Sequence, residues 1–227
     1  CALPISLAED GEQRLLVSFI HNAIDFLVLL DNSRRTERDL NELIRIGVLL
    51  SSEKDTDTLL ELILTKAREV TGADAGSLYL LEEEDKKRHL IFKLAQNDSI
   101  PVNVKNVPMP LNEQSIAGYT VLSGETLVID DAYRIPTMRP YSHGRWMDER
   151  LGYRTVTMLA VPLKNLKGEV IGCLQLINRK RQPAIRLVDS LTAITAVIPF
   201  DEHAVQIVSS LASLAAVTLE KNRLYES

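Results

Sequence analysis

Apolar residues at Leu16, Ile20, Ala23, Leu27 and Leu30 fall at alternating four- and three-residue steps, the seam of a helix that packs on another helix or on a second copy of the chain. Asn32-Ser33 interrupts it. Thr36 with Asp39 then reads as a capping box, and Leu40, Leu43, Ile44 and Leu50 continue a helical stripe to about Ser51. Ser52 to Asp57 reads as a turn with Asp55 as N-cap, and the next helix presents Leu59, Leu60, Ile63, Ala67 and Val70 before Gly72 stops it. From Ala75 the period becomes two, with Ser77, Tyr79 and Leu81 on one face and Leu78 and Leu80 on the other. That strand and a second, His89 to Ala95, flank an acidic and basic turn and form an antiparallel pair. Asn97 to Pro110 reads as loop with at most a short edge strand at Val102 to Val107.

Further on, Asn112 or Ser115 caps a short helix through Ala117 to Leu122, and Thr126 to Ile129 is a short strand. Asp130 to Gly152 is an irregular excursion, long enough to act as a lid over a pocket. Thr155 to Leu163 and Glu169 to Asn178 form a hairpin turned at Asn165-Leu166-Lys167-Gly168. A basic, Pro-containing insertion, Arg179 to Pro199, precedes a last helix that begins at Phe200-Asp201-Glu202 and buries Val205, Val208, Leu211, Ala212, Ala215, Leu219 and Leu224. The order predicts an α+β domain: a central antiparallel sheet of five or six strands, helices on both faces, the terminal helices on one and the short helix with the excursion on the other. The domain spans residues 52–227, preceded by a helical N-terminal segment at 1–51 that serves dimerisation and signalling.

With 227 residues, 45% of them hydrophobic and 25% charged, the chain can bury a sizeable core. A formal net charge of -5 argues against a general nucleic-acid surface, so no nucleic-acid partner is expected. Two cysteines, Cys1 and Cys173, cannot build a disulfide framework or a metal quartet, which fits a reducing, cytoplasmic setting. The apolar run Leu15 to Leu30 is about 16 residues, shorter than the ~20 a membrane span needs, and it carries His21, Asn22 and Asp25; membrane insertion is not expected. The missing initiator Met and a C-terminus still in helical pattern imply a piece of a longer protein whose C-terminal output domain lies outside this chain.

Five short motifs stand in fixed order: Gly76-Ser77-Leu78-Tyr79-Leu80-Leu81, Ser115-Ile116-Ala117-Gly118, Asp130-Asp131-Ala132-Tyr133, Gly152-Tyr153-Arg154-Thr155 and Gly172-Cys173-Leu174-Gln175-Leu176-Ile177-Asn178. Together they resemble the GAF domain, a small-molecule-sensing module of cyclic-nucleotide phosphodiesterases, phytochromes and bacterial signalling proteins, over roughly Leu40 to Ser227. The resemblance implies a ligand between the sheet and the lid, with cyclic AMP or cyclic GMP as candidate and no certain cofactor. It implies that Ser77 offers a hydroxyl, Ile116, Ala117 and Gly118 a small-residue helix start whose amides hold an anionic group, Asp148 a lid contact and Thr155 a second hydroxyl. The alternative is that Ser77 and Thr155 bond the backbone and Gly118 permits close helix packing.

The lid departs from the cyclic-nucleotide pattern. Asp131-Ala132-Tyr133 and Asp148-Glu149 through Thr155 match, but a Phe-Asn pair is absent and the interval is longer, carrying Arg139, Tyr141, His143, Arg145 and Trp146. With Tyr133, the pair Arg145 and Trp146 suits an aromatic anionic ligand; alternatively Trp146 anchors the lid to the core and the arginines are solvated. Asn178, Arg179, Phe200, Asp201 and Glu202 resemble a further family signature in which an Arg179–Asp201 ion pair ties the hairpin to the last helix. Arg179, Lys180, Arg181 and Arg186 otherwise read as an exposed insertion.

Enzymatic readings are weaker. Cys173 alone in an apolar strand is core rather than nucleophile, Asp130-Asp131 reads as a turn cap, and His143 is a remote candidate for a haem or metal ligand. There is no Walker loop, Gly-x-Ser-x-Gly or dinucleotide fingerprint. The expectation is a non-enzymatic regulatory domain of a bacterial-type signalling protein, homodimeric through its N- and C-terminal helices. It binds a small anionic molecule and signals to the output domain. The competing expectation is a ligand-free dimerisation scaffold.

Overall fold

The computed structural model describes Leu27, Asp31 and residues 33–84 and 87–226, which divide into two compact units at Ile44/Arg45. In the first unit residues 33–44 are helical, and Leu40 and Ile44 are exposed. Ser33 and Thr36, expected to mark a break and a new start, both lie within helical backbone. Strong helix formers such as Arg34, Arg35, Glu37 and Arg38 surround them and override the local capping preference. Of the Leu16 to Leu30 seam, Leu27 is helical and exposed; Leu16, Ile20, Ala23 and Leu30 lie outside the described residues.

In the second unit, helix α1 (45–52) buries Ile46 and Leu50. Helix α2 (Thr56–Thr71) starts where the Asp55 carboxylate accepts from the Thr58 amide at 2.8 Å and ends at Gly72, whose left-handed φ of 71° suits a residue without Cβ. The six strands are β1 (Ala73–Glu84), β2 (Lys87–Asn97), β3 (Lys105–Met109), β4 (Leu127–Ile129), β5 (Met158–Lys164) and β6 (Val170–Arg179). All neighbouring pairs are antiparallel in the order β3-β2-β1-β6-β5-β4, so the motif strands β1, β6 and β5 are central.

Alternation divides the sheet into two faces. Leu78, Leu80, Leu159, Val161, Leu174 and Leu176 are buried on one, packed by α2 and by the long helix α6 (Glu202–Glu226). Among the described residues α6 is one helix long and apolar enough to cross a membrane, but half of its most apolar stretch is buried, with Val208, Leu211, Ala212, Ala215 and Leu219 among its buried residues. The ion pair expected at its start is present: Arg179 Nη1 lies 2.8 Å from Asp201 Oδ2 and also donates to Pro199 O.

The other face carries two apolar clusters. One joins Tyr79, Leu90, Met158, Ala160 and Cys173 of the sheet to Ile116, Ala117 and Val121 of helix α3 (Ile116–Ser123) and to Ala132 and Tyr141 of the excursion. The second joins Ala75 to Tyr153 and to Leu187, Ala193, Ala196 and Val197. Two helices escaped the sequence pattern, α4 (Arg145–Leu151) in the excursion and α5 (Ser190–Ala196) in the insertion. Each is seven residues long, too short to display a helical period.

Candidate functional site

Ser115 caps α3 by accepting from the Gly118 amide at 3.0 Å, and the excursion crosses this end of the helix where Ser142 N donates to Gln114 O. A Cβ on Gly118 would stand 2.1 Å from the Asn112 carbonyl oxygen and 2.7 Å from Ser115 Oγ, so the small residue is needed for this turn to close. Ile116 and Ala117 are buried against the sheet, near Tyr79 and Tyr141. Ser77, 5% exposed, lies on the lid face of β1 opposite Ala95 and Gln175. Tyr119 and Tyr141 meet with ring centroids 4.8 Å apart, and Tyr79 and Phe92 meet at 4.6 Å. The region between α3, the excursion and the sheet is thus packed with aromatic and small apolar side chains.

Asp148 of α4 is the centre of the lid. Its Oδ2 accepts from Thr155 N at 2.8 Å, from the Tyr133 hydroxyl at 3.0 Å and from His143 Nε2 at 3.1 Å, while Oδ1 accepts from Thr155 Oγ1 at 2.8 Å. Burial alone would raise this carboxyl, but the donors from His143 and from the Thr155 amide and hydroxyl outweigh it and hold the group below the usual carboxylate range. The result is a latch: Asp131 caps the 3-10 turn Ala132–Arg134 that presents Tyr133, α4 presents Asp148, and the lead into β5 presents Thr155.

Of the predicted residues, Tyr133, Asp148 and Thr155 come together in the latch, and Arg145 reaches it, with its guanidinium carbon 4.6 Å from the Tyr133 ring centroid and Nη2 donating to Tyr133 O at 3.3 Å. Ile116, Ala117 and Gly118 stand at the capped helix start, and Ser77 on the sheet. Trp146 departs from expectation: it is 60% exposed, folded back towards Gly144, and it neither anchors the lid nor fills the space beneath it. Arg154, named in the Gly-Tyr-Arg-Thr motif but given no role, stacks on Tyr133 with its guanidinium carbon 3.4 Å from the ring centroid.

Beside the latch lies a second polar cluster that the sequence did not reveal. Asp74, fully buried, pairs with Lys180 Nζ at 3.0 Å and accepts from the Tyr153 hydroxyl and Ser99 Oγ, each at 2.8 Å. Lys180 also meets Asp98 at 3.1 Å, and Asp98 pairs with Arg68. Asn178, at a left-handed φ of 57°, accepts from the Val156 and Thr157 amides and donates to Tyr153 Oη and Arg154 O. Lys180 was expected on an exposed insertion; it is buried because its amide bonds Gly72 O and places it at the mouth of β1, where Asp74 waits. The signal available was the single pair Asn178 and Tyr153 in two motifs; Asp74 had none.

Cys173 is fully buried, and burial pushes its thiol up to about 12, so it is an inert core group. Among the described residues no three His, Cys, Asp or Glu side chains converge as a metal set. A surface groove of about 510 Å3 lies away from the lid, between Arg68, Gln96, Asn97, Pro101 and Asn103.

A lidded antiparallel sheet with these motifs defines a GAF fold, and the GAF domain family model matches residues 55–219: the chain belongs to the GAF family. It is 31% identical over 183 residues to the dual 3',5'-cyclic-AMP and -GMP phosphodiesterase 11A of Takifugu rubripes, covering 78% of this chain and 19% of that protein. It is 26% identical over 185 residues to the cGMP-specific 3',5'-cyclic phosphodiesterase of Drosophila melanogaster, covering 78% and 15%. The chain thus spans less than a fifth of the length of these relatives. In structure it resembles the GAF domain of a phosphoenolpyruvate-protein phosphotransferase from Coxiella burnetii, with a TM-score of 0.61, 19% identity and coverage of 83% of this chain and 96% of that one. The free methionine-R-sulfoxide reductase of Neisseria meningitidis shares the fold at a TM-score of 0.57 and 18% identity, covering 81% and 89%.

Proposed function

We propose that this GAF domain is a regulatory, non-catalytic sensor that binds a small anionic ligand, with cyclic AMP or cyclic GMP first among candidates, between the sheet and the lid. The observation that carries the reading is the Asp148 latch: one carboxylate with four donors closes a long excursion over an aromatic-lined sheet face. Phosphodiesterase relatives named for cyclic nucleotides support the ligand class. A ligand that prefers one lid state shifts the equilibrium by its differential affinity, and α6 is the route by which the shift leaves the domain.

The same reading assigns residues 1–51 as a dimerising and signalling segment, the chain as a homodimer, an output domain beyond α6, and a cytoplasmic location. Exposed Leu40 and Ile44, four residues apart, support a helix-mediated dimer, as do exposed Val48 and Leu224 in the second unit. The alternative, a ligand-free dimerisation module, draws on those same apolar faces together with the closed lid. Calorimetric titration with cyclic AMP and cyclic GMP separates the two. Saturable binding that Ala117→Trp abolishes is the sensor's result; no binding by either nucleotide in a stable dimer favours the scaffold.

A further inference from the structure

Two guanidinium groups converge on one ring. Arg154 and Arg145 place their guanidinium carbons 3.4 and 4.6 Å from the centroid of Tyr133, and among the described residues neither is ion-paired. The nearby carboxylate, Asp148, is already shared by Thr155, Tyr133 and His143. Two cations stacked on one ring without a carboxylate of their own are stabilised by an anion within reach of both. Arg154 carries a second sign of a missing partner: its Nε is buried with no hydrogen-bond acceptor. A buried unsatisfied donor is costly and rare in a folded protein, all the more on a charged group. The backbone that aims Arg154 is fixed, because its carbonyl accepts from Asn178 Nδ2 at 2.7 Å and its two neighbours are pinned in the Asp74 and Asp148 clusters.

We propose that Arg145 and Arg154 form a seat for a phosphate dianion at the joint of the lid, distinct from the space between α3 and the sheet. The guanidinium forks suit the oxygens of a phosphoryl group, and Tyr133 holds both in place by stacking. A dianion seated there ties α4, which carries Arg145, to the β5 lead, which carries Arg154, along the same line as the Asp148 latch, and so favours the closed lid. The shared chemistry is a terminal phosphoryl group, supplied by free phosphate or by a nucleoside monophosphate.

Trp146, the single tryptophan in the chain, adjoins Arg145 and is exposed, so its emission reports the seat directly. Inorganic phosphate titrated against chloride at constant ionic strength is expected to give a saturable change in emission. Arg154→Gln and Arg145→Gln are each expected to weaken the affinity by about tenfold or more, with Arg154→Lys between wild type and Arg154→Gln. Calorimetry provides a readout independent of the indole, and Arg145, being exposed, can be changed without threatening the fold. Adenosine 5'-monophosphate binding more tightly than phosphate, with the same dependence on both arginines, marks the nucleotide as source; equal affinity marks free phosphate. The absence of a saturable response in the wild type, or affinities unchanged in both glutamine variants, overturns the seat. The latter result with cyclic-nucleotide binding still abolished by Ala117→Trp would leave the sensor reading standing.

Discussion

The Asp74 knot and the Asp148 latch each centre on a buried carboxylate, 0% and 5% exposed. They differ in what surrounds them. Asp74 is held by side chains from β2's end, the excursion's end and the residue after β6, and it is neutralised by a lysine that is itself buried. Asp148 receives only uncharged donors and a histidine, all four from the excursion and its exit. The first joins distant parts of the chain and can open only if the fold opens. The second joins parts of one excursion and can open by itself, as a lid requires.

The sharpest break in the comparison is at Asp74. Asp74→Ala strands Lys180 with Asp98, whose side chain is 47% exposed, and removes the acceptor of Tyr153 and Ser99. Loss of one partner of a buried ion pair costs about 3–5 kcal/mol, so global stability measured by urea unfolding should fall by that amount. Asp148→Ala should cost less, about 1–3 kcal/mol, for the buried donors it leaves unsatisfied. Its effect should be local: hydrogen exchange should accelerate in residues 131–155 while β1 and β6 keep their protection. Equal acceleration in both regions would show that the latch belongs to the global fold and is no lid.

Acid offers a graded version of the same break. Asp148 is held below the usual carboxylate range in the folded protein, so its contribution is fully present above the unfolded value of about 3.9 and is lost as pH falls through the folded value. The Asp148 contribution to lid stability should stay level down to about pH 5 and decline below about 4. Asp98 is lowered too: burial raises it, but Arg68 and Lys180 bring it down further, so the knot weakens over the same range. Asp148→Asn should remove the acid dependence of lid exchange and leave that of the knot, which separates the two contributions.

The helices and strands were legible where the chain is regular. Asp55 and Gly72 bracket α2, the period-two runs gave β1, β2, β5 and β6, and five ordered motifs gave the fold and family. The motifs also carried Asp148 and Thr155 to the lid, but not their mutual bonding, because that depends on how an irregular excursion returns on itself. Lys180 shows the general limit. In sequence it belongs to a basic run, and only the bond from its amide to Gly72 O, which joins residues far apart in the chain, turns it inward to Asp74. Arg154 is similar: its neighbours were readable as motif residues, whereas its stacking on Tyr133 is a product of tertiary closure.

Trp146 gives the smallest expected effect and the most direct check on where the lid's contents lie. A large aromatic in a lid would ordinarily be taken as an anchor, and Trp→Ala at a buried site costs about 3–5 kcal/mol. Here the side chain, on the second residue of α4, is 60% exposed and folds back towards Gly144. Removing it exposes little new apolar surface, and alanine favours the helix slightly more than tryptophan does. Trp146→Ala should therefore change unfolding free energy by less than about 0.5 kcal/mol, as for an ordinary surface substitution. In the wild type, its emission should be quenched readily by iodide. A large loss of stability with a shielded emission spectrum would place the indole beneath the lid, where it would occupy the space assigned to a ligand and shift the balance towards the scaffold.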